Sequence, residues 1–343
     1  MCFDLSITAI LPCYNHEKFI LERIKSVLAQ TRPVDQIIFL DDASSDNSVE
    51  YAKALLSEFT GNVGYIINER NSGSPFTQWN QGVLHAHGDL IWIAETDDYC
   101  ETTLIQNLYD AIQDRAHVLA FSQSRYIDED GNDLGSALLY TDSAWPGDFS
   151  CSFGSDGVVF RDKYMGLLNA IPNASAVLFR KEAYVKAGFA NESMHFAGDW
   201  DIWIRLMSFG SVRYVSDELN KFRCHSSTSR AKGRTAKSTA EVLSCRVLVY
   251  MNMKEPVGAC LTPEAIALGL QDGSSRIQLI NIIKTLDWKI FSSAVKEYHG
   301  LERVTAVSAS VWSLFRIYCL LEFSRRSLFS WMGRAKRLFQ GSF

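Results

Sequence analysis

The chain is 343 residues long, 47% hydrophobic and 21% charged, enough for two domains or one large domain with an appendage, and too near the globular average for wholesale disorder, a collagen-like repeat or a coiled coil. A net charge of -5 speaks against a protein built mainly to hold nucleic acid, which needs a surplus of Lys and Arg over its surface. Eight cysteines without a single C-x-x-C pair give no support for structural zinc or a disulfide framework, and fit buried thiols in a reducing compartment.

In chain order, residues 5–11 read as an apolar, β-branched first strand, followed by a helix over 16–30 with Phe19, Ile20, Ile24, Val27 and Leu28 on one face. The alternation continues with a buried strand over 36–40, a helix over 48–59, a strand over 63–67, a helix carrying Phe76, Trp79, Val83 and Leu84, and a strand over 90–94. A helix over 103–115 and a strand over 118–122 complete this half, and such alternation is the signature of a mostly parallel sheet flanked by helices. Residues 125–157, rich in Asp, Gly and Ser, read as a long loop over the sheet. A strand over 174–179, a short helix over 181–187, a helix over 200–209 and a strand over 212–215 follow. Beyond about 235 the signals are mostly helical, so the expected organisation is an α/β domain over 1–230 and a helical C-terminal region over 231–343.

In such sheets ligands bind beyond the carboxyl ends of the strands. Here acids stand at those points: Asp41-Asp42-Ala43-Ser44-Ser45-Asp46 after the second strand, and Glu95-Thr96-Asp97-Asp98 after the fourth. Two carboxylate clusters at one edge repel unless a cation or hydrogen-bond donors offset them, which favours a divalent metal at Asp97 and Asp98; helix capping is the simpler reading for Asp46. No G-x-G-x-x-G follows the first strand and no Walker motif occurs, which demotes both nicotinamide and P-loop chemistry. The other histidines, His16 among them, show no metal-ligand spacing. Trp79, Trp92, Trp200 and Trp203 read as core before they read as an acceptor platform.

Taken together, Pro12-Cys13-Tyr14-Asn15, the Asp41 to Asp46 run, Asn71-Ser72-Gly73 before Trp79-Asn80-Gln81-Gly82, His87-Gly88-Asp89, the Glu95 to Asp98 run, Gly198-Asp199-Trp200-Asp201 and Arg223-Cys224-His225 resemble, in order and spacing over about residues 5–230, the family 2 glycosyltransferases of GT-A fold. The resemblance implies a metal-dependent, inverting enzyme that moves a sugar from a nucleoside diphosphate donor to a hydroxyl of a glycan or lipid-linked glycan acceptor in surface polysaccharide synthesis. It implies that Asp42, with Asp41 as the weaker candidate, holds the nucleotide base in a pocket shaped by Pro12 and Asn15, and that Asn71, Gly73, Glu95 and Asp97 contribute to donor binding. The ion, Mn2+ or Mg2+, falls to Asp97, Asp98 and His225, and the catalytic base to Asp199, with Asp201 as fallback. Two departures, Glu95 for the commoner Asp and Gly198 where an acid often stands, keep open a non-catalytic nucleotide-sugar or glycan binding protein on the same fold.

The N-terminus has no basic run ahead of an apolar stretch, and Pro12 interrupts the first apolar run, so a cytoplasmic protein is expected. Residues 304–321 approach spanning length but carry Arg316 and several Ser and Thr, which argues against a membrane span. Residues 313–343 set Arg316, Arg325, Arg326, Arg334, Lys336 and Arg337 against Glu322 alone, and Leu328, Trp331, Met332, Ala335, Leu338 and Phe339 recur at helical spacing. Such a helix suits an anionic membrane surface, or equally the flank of the catalytic domain.

Overall fold

The structure, a computed structural model, describes residues 4–225 and the helical positions Ser238, Glu241, Val242, Cys245 and Val249. The expected C-terminal helices, the stretch 304–321 and the basic tail lie outside the described residues. The chain divides into two units, Met1–Cys260 and Leu261–Phe343; the architecture below is that of the first.

The elements follow in the order β1 (Ile7–Cys13), α1 (Ile20–Leu28), β2 (Gln36–Asp41), α2 (Ser48–Leu56), β3 (Asn62–Ile67), α3 (Pro75–His85), β4 (Leu90–Ile93), β5 (Tyr99–Cys100), α4 (Leu104–Ile112) and β6 (His117–Ile127). Then come β7 (Asp133–Ser136), α5 (Leu138–Asp142), β8 (Phe153–Ser155), α6 (Gly157–Tyr164), β9 (Val177–Arg180), α7 (Lys181–Lys186), α8 (Gly198–Leu206) and β10 (Ser211–Arg223). They build one sheet in the order β3-β2-β1-β4-β9-β6-β10-β5, with β7 on β6 and β8 on β10.

The half formed by β3, β2, β1 and β4 is parallel, as expected from the alternation. The other half is mixed: β9 runs antiparallel to both β4 and β6, while β10 runs parallel to β6. Two reversals restore direction, so β1, β2, β4, β6 and β10 all end at the same sheet edge. The stretch 125–157 is more ordered than a loop: β6 runs on to Ile127, and β7, α5 and β8 fill the excursion. Their brevity left too little periodicity to read.

Helices cover both faces of the sheet, which is why its inner strands read as unbroken apolar runs. Along β1, Ile7, Ala9 and Leu11 face one buried cluster with Ile20, Ile24 and Val27 of α1, while Ile10 faces the other with Phe76, Trp79 and Val83 of α3. Gly82 lets α3 approach, since a Cβ there would lie 2.5 Å from Ile10. Gly88 is confined likewise, 2.6 Å from the Thr8 backbone, and its N–H donates to the Thr8 hydroxyl. Trp79, Trp92, Trp200 and Trp203 are all buried, as core residues. Val242, Cys245 and Val249 join the same cluster as α8, so the first unit extends past residue 230.

Candidate active site

At the shared edge, β1 leads into Tyr14, Asn15 and His16, and β2 into Asp42, Ala43 and Ser44. Asn15 and Ala43 adopt φ of 55° and 62°, a left-handed turn that Asn tolerates better than most residues. The two loops are stitched together: the Asn15 N–H donates to the Ser44 hydroxyl at 2.9 Å, and the Ser45 N–H to the Asn15 side-chain oxygen at 2.8 Å. Asp46 does act as a cap, accepting from the Ser48 and Glu17 backbones.

Asp41 and Asp42 fare differently. The Asp42 carboxylate accepts from Asn68, from the Ser72 backbone and hydroxyl, and from Gln78, all within 3.1 Å. Its acceptor capacity goes to tying the 68–74 loop and the first turn of α3 to β2. Asp41 accepts from the Ser44 N–H through Oδ2, while its buried Oδ1 has no partner. Of the two, Asp41 is the acid that keeps an open acceptor, whereas the sequence put Asp42 first. Asn71 turns inward on its own loop, accepting from the N–H of Gly73, whose φ of 75° suits glycine.

Beyond β4, Glu95 accepts a hydrogen bond from Trp79 Nε1 at 2.7 Å, and burial, with Asp97 beside it, pushes its carboxyl up to about 8. Thr96 is fully buried and donates to the Pro12 carbonyl at 2.8 Å. Asp97 lies 3.1 Å from His225 Nε2. Burial works to raise its pKa, but the His225 hydrogen bond and the nearby imidazoles of His16 and His225 outweigh that and hold the carboxyl below the usual range.

Asp98 does not share this position. Its carboxylate accepts from Asn173 at 2.8 Å and from the Arg223 N–H at 2.9 Å, with Arg23 at 3.8 Å. Burial and the neighbouring Asp97 raise its pKa. The expectation of Asp98 as a metal ligand gives way to a buried anchor joining β4 to β10. Arg223 completes that anchor: it donates to the Asp97 carbonyl at 2.8 Å and to the Glu129 carbonyl at 3.0 Å, pairs with Glu22, and lies over the Phe19 ring.

The group that gathers instead is His16, Asp97 and His225, whose candidate ligand atoms all lie within 4.8 Å of one another. Two of these were expected. His16 escaped because its partners stand some 80 and 200 positions away in sequence, where spacing carries no signal; only its place directly after Asn15 marked it. Burial lowers the His16 pKa, with Asp97 beside it acting in the opposite sense.

Asp199 lies in the first turn of α8, after an N-cap residue, Ala197, that provides no side-chain cap. Asn169 donates to its Oδ2 at 3.0 Å. Gly198 sits against Phe76, where a Cβ would be 2.4 Å from the ring; the departure from an acid at this position is therefore steric. Phe76 is in the first turn of α3, just beyond the end of β3, so this packing brings the head of α8 to the same sheet edge. Asp201, the fallback base, is buried and paired with Arg205, a structural arrangement.

Comparison with known proteins fits this geometry. Residues 8–149 match the family model described as glycosyl transferase family 2. The glycosyltransferase GlyG of Streptococcus pneumoniae is 32% identical over 127 residues, 37% of this chain and 42% of that protein. The poly(ribitol-phosphate) beta-glucosyltransferase of Bacillus spizizenii is 31% identical over 108 residues, 31% of this chain and 17% of that protein. The chain thus spans less than half of either relative. Among solved structures, S. aureus TarS 1–349 in complex with UDP-GlcNAc superimposes with a TM-score of 0.60 at 15% identity, covering 88% of this chain and 84% of that one. A mannosyltransferase from Pyrobaculum calidifontis in complex with GDP-Man and Mn2+ gives 0.55 at 14% identity, covering 91% and 81%. Residues 8–149 thus resemble glycosyl transferase family 2, and the described sheet has the GT-A fold.

Proposed function

We propose that this chain is a metal-dependent, inverting glycosyltransferase that moves a sugar from a nucleoside diphosphate sugar to a hydroxyl of a glycan or lipid-linked glycan in surface polysaccharide synthesis. The observation that carries the reading is the convergence on one sheet edge of an ionised carboxylate beside an imidazole, Asp97 and His225, and of a buried unpaired acceptor, Asp41 Oδ1. Relatives on this fold hold UDP-GlcNAc, or GDP-Man with Mn2+, which fits a nucleoside diphosphate donor here.

Asp41 offers the acceptor for an N–H of the base, and Pro12, Asn15 and the 71–73 turn wall the pocket. Asp97 and His225 would hold a divalent cation, Mn2+ or Mg2+: a carboxylate kept ionised and a ring nitrogen close together are a fitting donor set. Such an ion, when bound, offsets the negative charge that develops on the departing diphosphate. Asp199 takes the proton of the acceptor hydroxyl, a contribution of roughly 10²- to 10⁴-fold, and Asn169 orients its carboxylate. One in-line displacement on the face opposite the diphosphate inverts the anomeric centre. Residues 125–170 and 231–343 are left for acceptor recognition.

A panel of nucleotide sugars, each incubated with the full chain and Mn2+ or Mg2+, tests the proposal by release of nucleoside diphosphate. Metal-stimulated release from one donor is expected. Donor binding without release from any would replace the enzyme by a binding protein on the same fold.

A further inference from the structure

We propose that His16 is a third protein ligand of this metal site, so that two imidazoles and one carboxylate hold the ion and the site selects transition-metal ions such as Mn2+ and Co2+ over Mg2+. The inference rests on the reading of Asp97 and His225 as ligands, and adds a residue and a selectivity to it.

The argument begins with a hydroxyl. Thr96 Oγ1 carries one hydrogen and donates it to the Pro12 carbonyl at 2.8 Å. Towards His16 Nδ1, at 2.6 Å, that oxygen can therefore only accept. The ring proton sits on Nδ1, and Nε2 is left with its lone pair. A ring N–H held by an oxygen is the usual way a ligating imidazole is fixed in tautomer and orientation. Thr96 and Asp97 are adjacent, so one turn after β4 supplies both the carboxylate and the oxygen that fixes the imidazole. The Phe19 ring packs against His16 at 6.0 Å and His225 at 5.0 Å between centroids, holding both ring planes. The candidate ligand atoms of the three residues lie within 4.8 Å of one another, and side-chain rotations that draw them inward would let one ion about 2.0–2.2 Å from each be shared. Imidazole nitrogen suits first-row transition ions, whereas Mg2+ favours oxygen ligands and retained water.

The test uses the full chain, stripped of metal and without nucleotide, titrated with Co2+ by visible absorption and calorimetry, and with Mg2+ by competition. Co2+ should bind at least tenfold more tightly than Mg2+. In His16→Asn the amide nitrogen can still donate to Thr96, but nothing replaces Nε2; Co2+ affinity should fall roughly tenfold or more and the absorption bands should change, with the melting temperature preserved. Thr96→Val, nearly isosteric, should weaken Co2+ in the same direction and stands in if His16→Asn does not fold. Unchanged Co2+ affinity and spectrum in both variants, equal affinity for Co2+ and Mg2+, or no Co2+ binding by the wild type would each overturn the inference about His16. Full Co2+ affinity in Asp97→Ala would instead overturn the underlying metal reading.

Discussion

Asp97 and Asp199 carry separate tasks in the proposed reaction, and each can be removed alone. Asp97→Ala takes away the ionised partner of His225 and should lower metal-dependent turnover at least tenfold, about 1.4 kcal/mol or more of transition-state stabilisation; undiminished turnover in the folded variant would sink the assignment. Asp199→Asn keeps the shape and a partner for Asn169 but cannot accept a proton, so turnover should collapse while calorimetry still registers the donor with metal. Loss of donor affinity equal to the loss of rate would mark Asp199 as a binding or structural residue. Glu95 adds a pH signature. Its folded pKa of about 8 lies above the ordinary 4.5, so between those values the folded state keeps a proton that the unfolded state has lost. The stability due to this difference is complete below pH 4.5 and is lost as pH rises through about 8. Urea unfolding of the metal-free chain from pH 5 to 8.5 should show the wild type losing stability relative to Glu95→Gln as pH rises; His16, whose lowered pKa acts in the opposite sense, is common to both and drops out of the difference. A constant difference across the range would contradict a protonated Glu95. The acids were legible in sequence because carboxylates after apolar runs stand out. The partners of Asp98 were not, because nothing in sequence shows that Asn173 and Arg223 come to meet it.

Helix α8 has no cap of its own, and the missing acceptor comes from elsewhere in the chain. The Glu241 carboxylate accepts from the backbone N–H groups of His195, Phe196 and Ala197 at 2.8–3.1 Å, compensating the donors and positive dipole end that lead into Asp199. Glu241→Gln should cost about 1–2 kcal/mol in unfolding free energy, and should lower kcat with little change in the donor KM, since the donor loops follow β1, β2 and β4. A rise in donor KM that matches the fall in kcat would place the effect at the donor loops instead. At this scale the first strands and helices could be read from periodicity, because both sheet faces are buried and apolar runs stay unbroken. Two-residue β5, three-residue β8 and the five-residue α5 could not, since each spans at most about one and a half periods of its type.

For the molecule as a whole, the asymmetry of charge raises the question of where the protein works. Residues 313–343 carry six basic residues against Glu322, while the chain as a whole is at -5. As an amphipathic helix, this tail would bring the described domain to an anionic surface, where the proposed lipid-linked acceptor would stand, each nearby basic residue contributing about 1 kcal/mol. Full-length protein should then sediment with anionic vesicles at low salt, and a chain ending at Arg303 should not. Equal sedimentation of the two would assign the tail's apolar face to packing within the protein. No described helix is long and apolar enough to cross a membrane.

Sequence by itself determined the parallel half of the sheet and the carboxylates that follow β2 and β4, because strand and helix periods and the residues that end them are local properties. Tertiary structure alone decided which acids keep an acceptor open. Asp41 retains one while Asp42 is saturated, and Asp97 faces His225 while Asp98 is bound to Asn173 and Arg223. It also decided that His16 joins Asp97 and His225. The reason is that hydrogen-bond partners 26 or more residues apart are chosen by strand order and helix packing, and neither composition nor spacing records them.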